Sequence, residues 1–309
     1  MGKRYRIASI AVLVTQIVIV VTGGAVRLTG SGLGCDTWPY CTEGSFAPTP
    51  ELGIHGIIEF ANRVMGGVVL ATALVMFVFA LLARRSRSDV FIASLLVVLL
   101  TIVQALIGAV VVWMHLRPDT VGIHFVLSIV LVAISTLLVW RVWFGRKGAT
   151  KLGSPIQRIL THAASGLFAI TVFVGILTTG SGPHAGDGGV ARNGLDSVLL
   201  QHFHSWPAYA LFAVVLVQMI LAFRDGPRRH KWASLGFVIV LVAQIAVGLI
   251  QANTGLPVLL VGIHMFLSCI ATVACASTVL SLRGSSENRD SVIRTAHPVD
   301  TQTPLRSGA

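Results

Sequence analysis

Charge is what this chain has least of. Only 11% of its 309 residues are Asp, Glu, Lys or Arg. A soluble domain carries about a quarter charged residues, so a water-facing globule is excluded. Acids are scarcest, 12 in all, and no two aspartates fall within five residues of each other inside the apolar runs. The Asp-rich, magnesium-binding motifs that prenyl transfer normally needs are therefore missing. No peptidase site of the Ala-x-Ala type follows the first apolar run, which is also too long for a signal-peptide core. That run is expected to stay as an anchor.

What is present is apolar length. Runs of 18 or more residues recur along the chain, and eight spans are expected near 7–27, 56–82, 89–113, 119–143, 158–178, 197–222, 232–252 and 256–282. The fold class is an all-α polytopic membrane protein in the lipid bilayer. The net charge of +11 does not point to nucleic acid, because 19 of the 23 Lys and Arg sit at the N-terminus, on alternate loops and in the tail. The positive-inside rule then places both termini in the cytoplasm of a multi-pass cell-membrane protein.

The chain also repeats itself. Val121-Gly-Ile-His124-Phe-Val-Leu-Ser128 returns 140 residues later as Val261-Gly-Ile-His264-Met-Phe-Leu-Ser268, identical at six of eight positions. Gln104 and Gly108 return as Gln244 and Gly248, and Thr29-Gly-Ser-Gly32 returns as Thr179-Gly-Ser-Gly182. An even number of spans separates the copies, so they share an orientation. Two pseudo-symmetric four-helix bundles are expected, related by an axis along the membrane normal. Their bounds are 1–145 and 158–283, with a cytoplasmic linker at 146–157 and a polar, disordered tail at 284–309.

Histidine inside apolar helices is costly unless something binds it. His204 and His264 lie about seven and eight residues into spans 6 and 8, which enter from the same side, so their depths agree within about a turn. Two imidazoles at matched depth suit bis-histidine ligation of haem. Zinc would want further Cys or carboxylate ligands, and no acid stands beside either histidine.

The first half breaks the pattern. His124 matches His264, but Asn62 stands where the repeat has His204, Glu59 where it has Gln201, and Arg63 where it has Ser205. His55, Glu59 and Arg63 are successive i, i+4 neighbours on one helix face. Polar groups so placed mark a functional site by default, while a Glu59–Arg63 pair that only neutralises itself is the plainer alternative. Arg27 sits at the outer boundary, where it can snorkel or meet an anion. Cys35 and Cys41, with five residues between them in the first outer loop, would pair in an oxidising compartment, as a loop staple or as a redox-active couple. Cys269 and Cys275 read as small packing residues inside span 8.

Taken jointly, these residues resemble the heme A synthase family over essentially all the spans. The resemblance rests on Thr29-Gly-Ser-Gly-Leu-Gly-Cys35, Glu59-x-x-x-Arg63, His124, Gly182-Pro-His-Ala-Gly186, His204 and His264. It implies oxidation of the C8 methyl of the substrate haem O to a formyl group, giving haem A for terminal oxidases. A haem b cofactor would sit on His204 and His264, and the substrate haem in the first half at His124, with Glu59 in proton transfer or substrate orientation. Haem O synthase and oxidase assembly proteins are the partners so implied, besides an electron donor not yet known. The cysteines match the cysteine-bearing, Gram-positive type. One departure stands out: the family usually carries histidine at the position of Asn62. Either His55 substitutes as second ligand, or the substrate iron is five-coordinate on His124. A cytochrome b561-like di-haem electron carrier and a haem transporter or chaperone are the competing readings.

Overall fold

The computed structural model describes residues 1–145, 150–183 and 192–284. Eight long helices fill it, each apolar enough to cross a membrane. They are α1 (Lys3–Leu28), α2 (Gly53–Leu82), α3 (Ser88–Trp113), α4 (Pro118–Phe144), α5 (Pro155–Ser181), α6 (Ser197–Asp225), α7 (Arg228–Asn253) and α8 (Val258–Ser281). Each matches an expected span, and the protein is an all-α, multi-pass membrane protein.

Differences are confined to helix ends. The expected linker at 146–157 already contains the start of α5, because Ser154 and Gln157 form a capping box with Pro155 at the first helical position. Arg228, Arg229 and Lys231 belong to α7 rather than to a loop, since only Gly226 and Pro227 separate α6 from α7. Thr150–Lys151 pairs antiparallel with Arg283–Gly284, a small exception to the all-helical expectation. The expected tail lies outside the described residues from 285 onward, as do His184, Ala185 and Gly186.

The helices sort their faces as a membrane demands. In α1 the buried positions run Ala8, Val12, Gln16, Val20 and Gly24, while Ile7, Ile10, Val14 and Val18 are exposed. The four-residue spacing keeps one face inward, and the exposed apolar face meets lipid. Inside, Gln16 donates from Nε2 to Thr101 Oγ1 at 3.2 Å, joining α1 to α3.

Packing follows two rings. Helix α1 packs on α2 and α4, α2 on α3, and α3 on α4; α5 packs on α6 and α8, α6 on α7, and α7 on α8. The rings meet through α1, α4, α5 and α8. Small residues allow this approach. A Cβ on Gly24 would lie 2.9 Å from Met265 Cε in α8, and one on Gly122 would lie 2.8 Å from Ile176 Cγ2 in α5. Gly262, the repeat partner of Gly122, faces Leu28 of α1 at 3.6 Å. Thus the glycine two residues before each motif histidine contacts the opposite half.

Candidate functional site

The second half brings two histidines together. The rings of His204 (α6) and His264 (α8) have centroids 6.2 Å apart with planes crossing at 73°. The Nδ1 of His204 lies 2.9 Å from the Thr171 carbonyl oxygen on α5. A carbonyl can only accept, so the proton sits on Nδ1 and the Nε2 lone pair is left free. Each imidazole is seated on a glycine of the neighbouring helix. A Cβ on Gly175 would lie 2.8 Å from His204 Cε1, and one on Gly248 would lie 3.4 Å from His264 Cε1. Neither ring meets a carboxylate, and no group of three or more His, Cys, Asp or Glu able to hold a metal occurs among the described residues.

In the first half, His124 rests on Gly108 of α3, whose Cβ would lie 3.3 Å from His124 Cε1. Gln104, one turn earlier on α3, donates from Nε2 to the His124 carbonyl oxygen at 2.9 Å and to Ser128 Oγ at 2.7 Å. Asn62 is the residue that aligns with His204 in the sequence repeat. Thr22 Oγ1 and Asn62 Oδ1 stand 2.7 Å apart, and a Cβ on Gly23 would lie 3.9 Å from Asn62 Oδ1.

Glu59 and Arg63 are knitted into the first loop. Glu59 is only 5% exposed. Its Oε1 accepts from Arg63 Nη2 at 2.6 Å, and its Oε2 accepts the Cys35 backbone N–H at 2.7 Å. The same guanidinium donates to the Cys35 carbonyl at 2.9 Å and the Tyr40 carbonyl at 3.0 Å. Cys35 and Cys41 form a disulfide, and both are fully buried. Gly34 presses so closely on α2 that a Cβ there would collide with the His55 carbonyl. Together the carboxylate, the guanidinium and the disulfide loop form one buried assembly.

His55, on the same α2 face, is exposed, and its Nδ1 lies 2.9 Å from Ser31 Oγ. That contact holds it to the loop end of α1. Arg27 donates to the Thr179 carbonyl at 3.2 Å, reaching across to the second half.

Matching across known proteins covers this whole frame. The model of the cytochrome oxidase assembly protein family COX15-CtaA matches residues 6–276. The chain belongs to the COX15-CtaA family. Among its relatives, the heme A synthase of Bacillus pumilus is 26% identical over 308 residues, spanning 92% of this chain and 97% of the relative. That of Listeria welshimeri is 26% identical over 305 residues, spanning 93% and 98%. A third, from Exiguobacterium sibiricum, is 29% identical over 177 residues, spanning 56% of this chain and 58% of the relative.

Several contributors to this COX15-CtaA site escape a reading of the sequence. The Thr171 carbonyl and the seats at Gly23 and Gly175 come from neighbouring helices whose register no single segment reveals. Gln104 and Gln244 carried a visible signal, their 140-residue repeat, without a role attached. His230 is fully buried at the start of α7, with Nδ1 2.9 Å from Ser281 Oγ, and has no counterpart in the first half, where position 90 is Val90.

Proposed function

We propose that this chain is a heme A synthase of the cell membrane, oxidising the C8 methyl of haem O to a formyl group. The observation that carries the reading is the pair His204–His264. With about 2 Å for each metal–nitrogen bond and roughly 1 Å from nitrogen to ring centre, an iron between two imidazoles sets centroids about 6 Å apart. The 6.2 Å spacing fits, as does the hydrogen bond that leaves His204 Nε2 available. A haem b held there by His204 and His264 would supply redox chemistry that no side chain of this protein supplies.

The first half takes the substrate in this reading. His124 ligates the substrate iron, with Gly108 leaving room for its ring. The near-saturated hydrogen bonding of Glu59 assigns it a holding role: it fixes Arg63 and the Cys35–Cys41 loop over that end of the bundle, and its carboxylate is a buried proton-accepting group on that α2 face. Arg63 carries the countercharge. Thr22 anchors Asn62, which presents an amide in place of the second imidazole. His55, tied to Ser31, lies toward the loop end, so five-coordination on His124 is the better supported of the two expectations. The two halves are read as a duplication, with bounds at 1–145 and 158–283, and both termini as cytoplasmic.

Expression in cells that make haem O, followed by chromatography of extracted haems, tests the reading. Haem A or its hydroxylated precursor should appear. Haem-loaded protein with neither product overturns it.

A further inference from the structure

Among the buried polar atoms without partners, two matching sets stand out on the helices of the motif histidines and their neighbours. They are Gln104 Oε1 with His124 Nδ1, and Gln244 Oε1 with His264 Nδ1. Buried donors and acceptors are rarely left unpaired, and here each half leaves one amide oxygen, which can only accept, and one ring nitrogen able to donate. Their placement is also the same. Gln104 stands one turn before Gly108, and Gln244 one turn before Gly248, so each shares a helix face with the glycine on which the imidazole lies. Would-be Cβ atoms on those glycines lie 4.0 Å from His124 Nδ1 and 3.9 Å from His264 Nδ1.

His204 shows the arrangement completed by other means. Its Nδ1 donates to the carbonyl of Thr171, the residue one turn before its own seat, Gly175. In all three cases the residue four positions before the seating glycine carries the acceptor or an orphaned candidate for it.

We propose that Gln104 and Gln244 are positioning residues whose Oε1 atoms, unpartnered in this structure, accept the Nδ1–H of His124 and His264 once those histidines ligate iron. This inference rests on the reading of those histidines as haem ligands. The bond fixes the proton on Nδ1, keeps Nε2 as the metal-facing lone pair and makes the imidazole a stronger donor. Gln104 is already braced for the task, because its amide nitrogen is held by the His124 carbonyl and Ser128 Oγ. Ser268 bonds instead to the Met265 carbonyl at 2.6 Å, so Gln244 lacks the Ser128-type brace.

Gln244 is the sharper test, because in the proposed reading the second-half haem is the retained cofactor. Full-length protein carrying Gln244→Leu, and separately Gln244→Glu, is compared with the parent by redox titration and by haem loss to an excess of apo-globin. Gln244→Leu should raise the midpoint potential and weaken haem retention by about 10- to 100-fold. Gln244→Glu, similar in size and a stronger acceptor, should lower the potential and retain haem. A mere packing role would not move the two potentials in opposite directions. Potentials unchanged in both variants, while His264→Ala loses its haem, overturn the proposal and leave the ligand reading intact. Full haem retention by His264→Ala overturns both.

Discussion

The two halves hold their key side chains by opposite means. In the second, the rings of His204 and His264 face each other, and the nearest support is a backbone carbonyl. In the first, His124 shares its bundle with a buried ion pair that grips a disulfide loop through backbone bonds on both Glu59 and Arg63. A haem-retaining site needs saturation and dryness. A site that admits and releases a substrate needs an entrance that can be held in shape. In the proposed reading, the ion pair supplies shape to the first half, where the second half needs only ligands.

The largest effects should therefore separate the halves. His264→Ala should remove the retained haem entirely, read as haem per protein after purification, whereas His124→Ala should keep that haem and abolish conversion of haem O. Identical behaviour of the two variants breaks the comparison. Glu59→Gln should come next, lowering turnover by about 100-fold. It should also destabilise the first half by about 3 kcal/mol, because a guanidinium that is only 18% exposed is left without its partner. Thermal unfolding followed by loop proteolysis checks the second effect. The reciprocal change, Gln201→Glu at an exposed position of α6, should cost far less.

Asn62→His sharpens the contrast from the other side. It places an imidazole where His204 stands in the repeat, over a glycine that already leaves room. The substrate-loaded protein should shift to a six-coordinate, low-spin spectrum with slower turnover, and an unchanged spectrum would show that position 62 does not face the iron. Smallest should be Cys35→Ser, costing about 2 kcal/mol of stability in the first half only. The redox spectrum of the second-half haem should be unaltered.

Much of this was legible from residues alone, for identifiable reasons. Apolar runs longer than 18 residues have few other fates, so all eight spans could be placed. The start of α7 could not, because Arg228 and Arg229 read as loop until Pro227 is seen to set the helix start directly after α6. His204 and His264 were legible as partners because helix direction and depth follow from counting. The Glu59–Arg63 pair was legible as an i, i+4 contact, but its grip on the loop was not. Its partners there are the backbone of Cys35 and Tyr40, and backbone atoms carry no sequence signal. The hydrogen bond of His55 to Ser31 was not legible, because that contact is made only once the chain turns after α1.

The seam between the halves is built from α1, α4, α5 and α8, with Gly122 and Gly262 pressed against the opposite bundle. A mutation in the motif helices is thus felt twice, once by the motif histidine and once by the joint. Helices α2 and α6 take no part in that joint, and there the copies have drifted apart, with Glu59, Asn62 and Arg63 answering to Gln201, His204 and Ser205. New chemistry in this fold should be sought, or engineered, on α2 and α6 first.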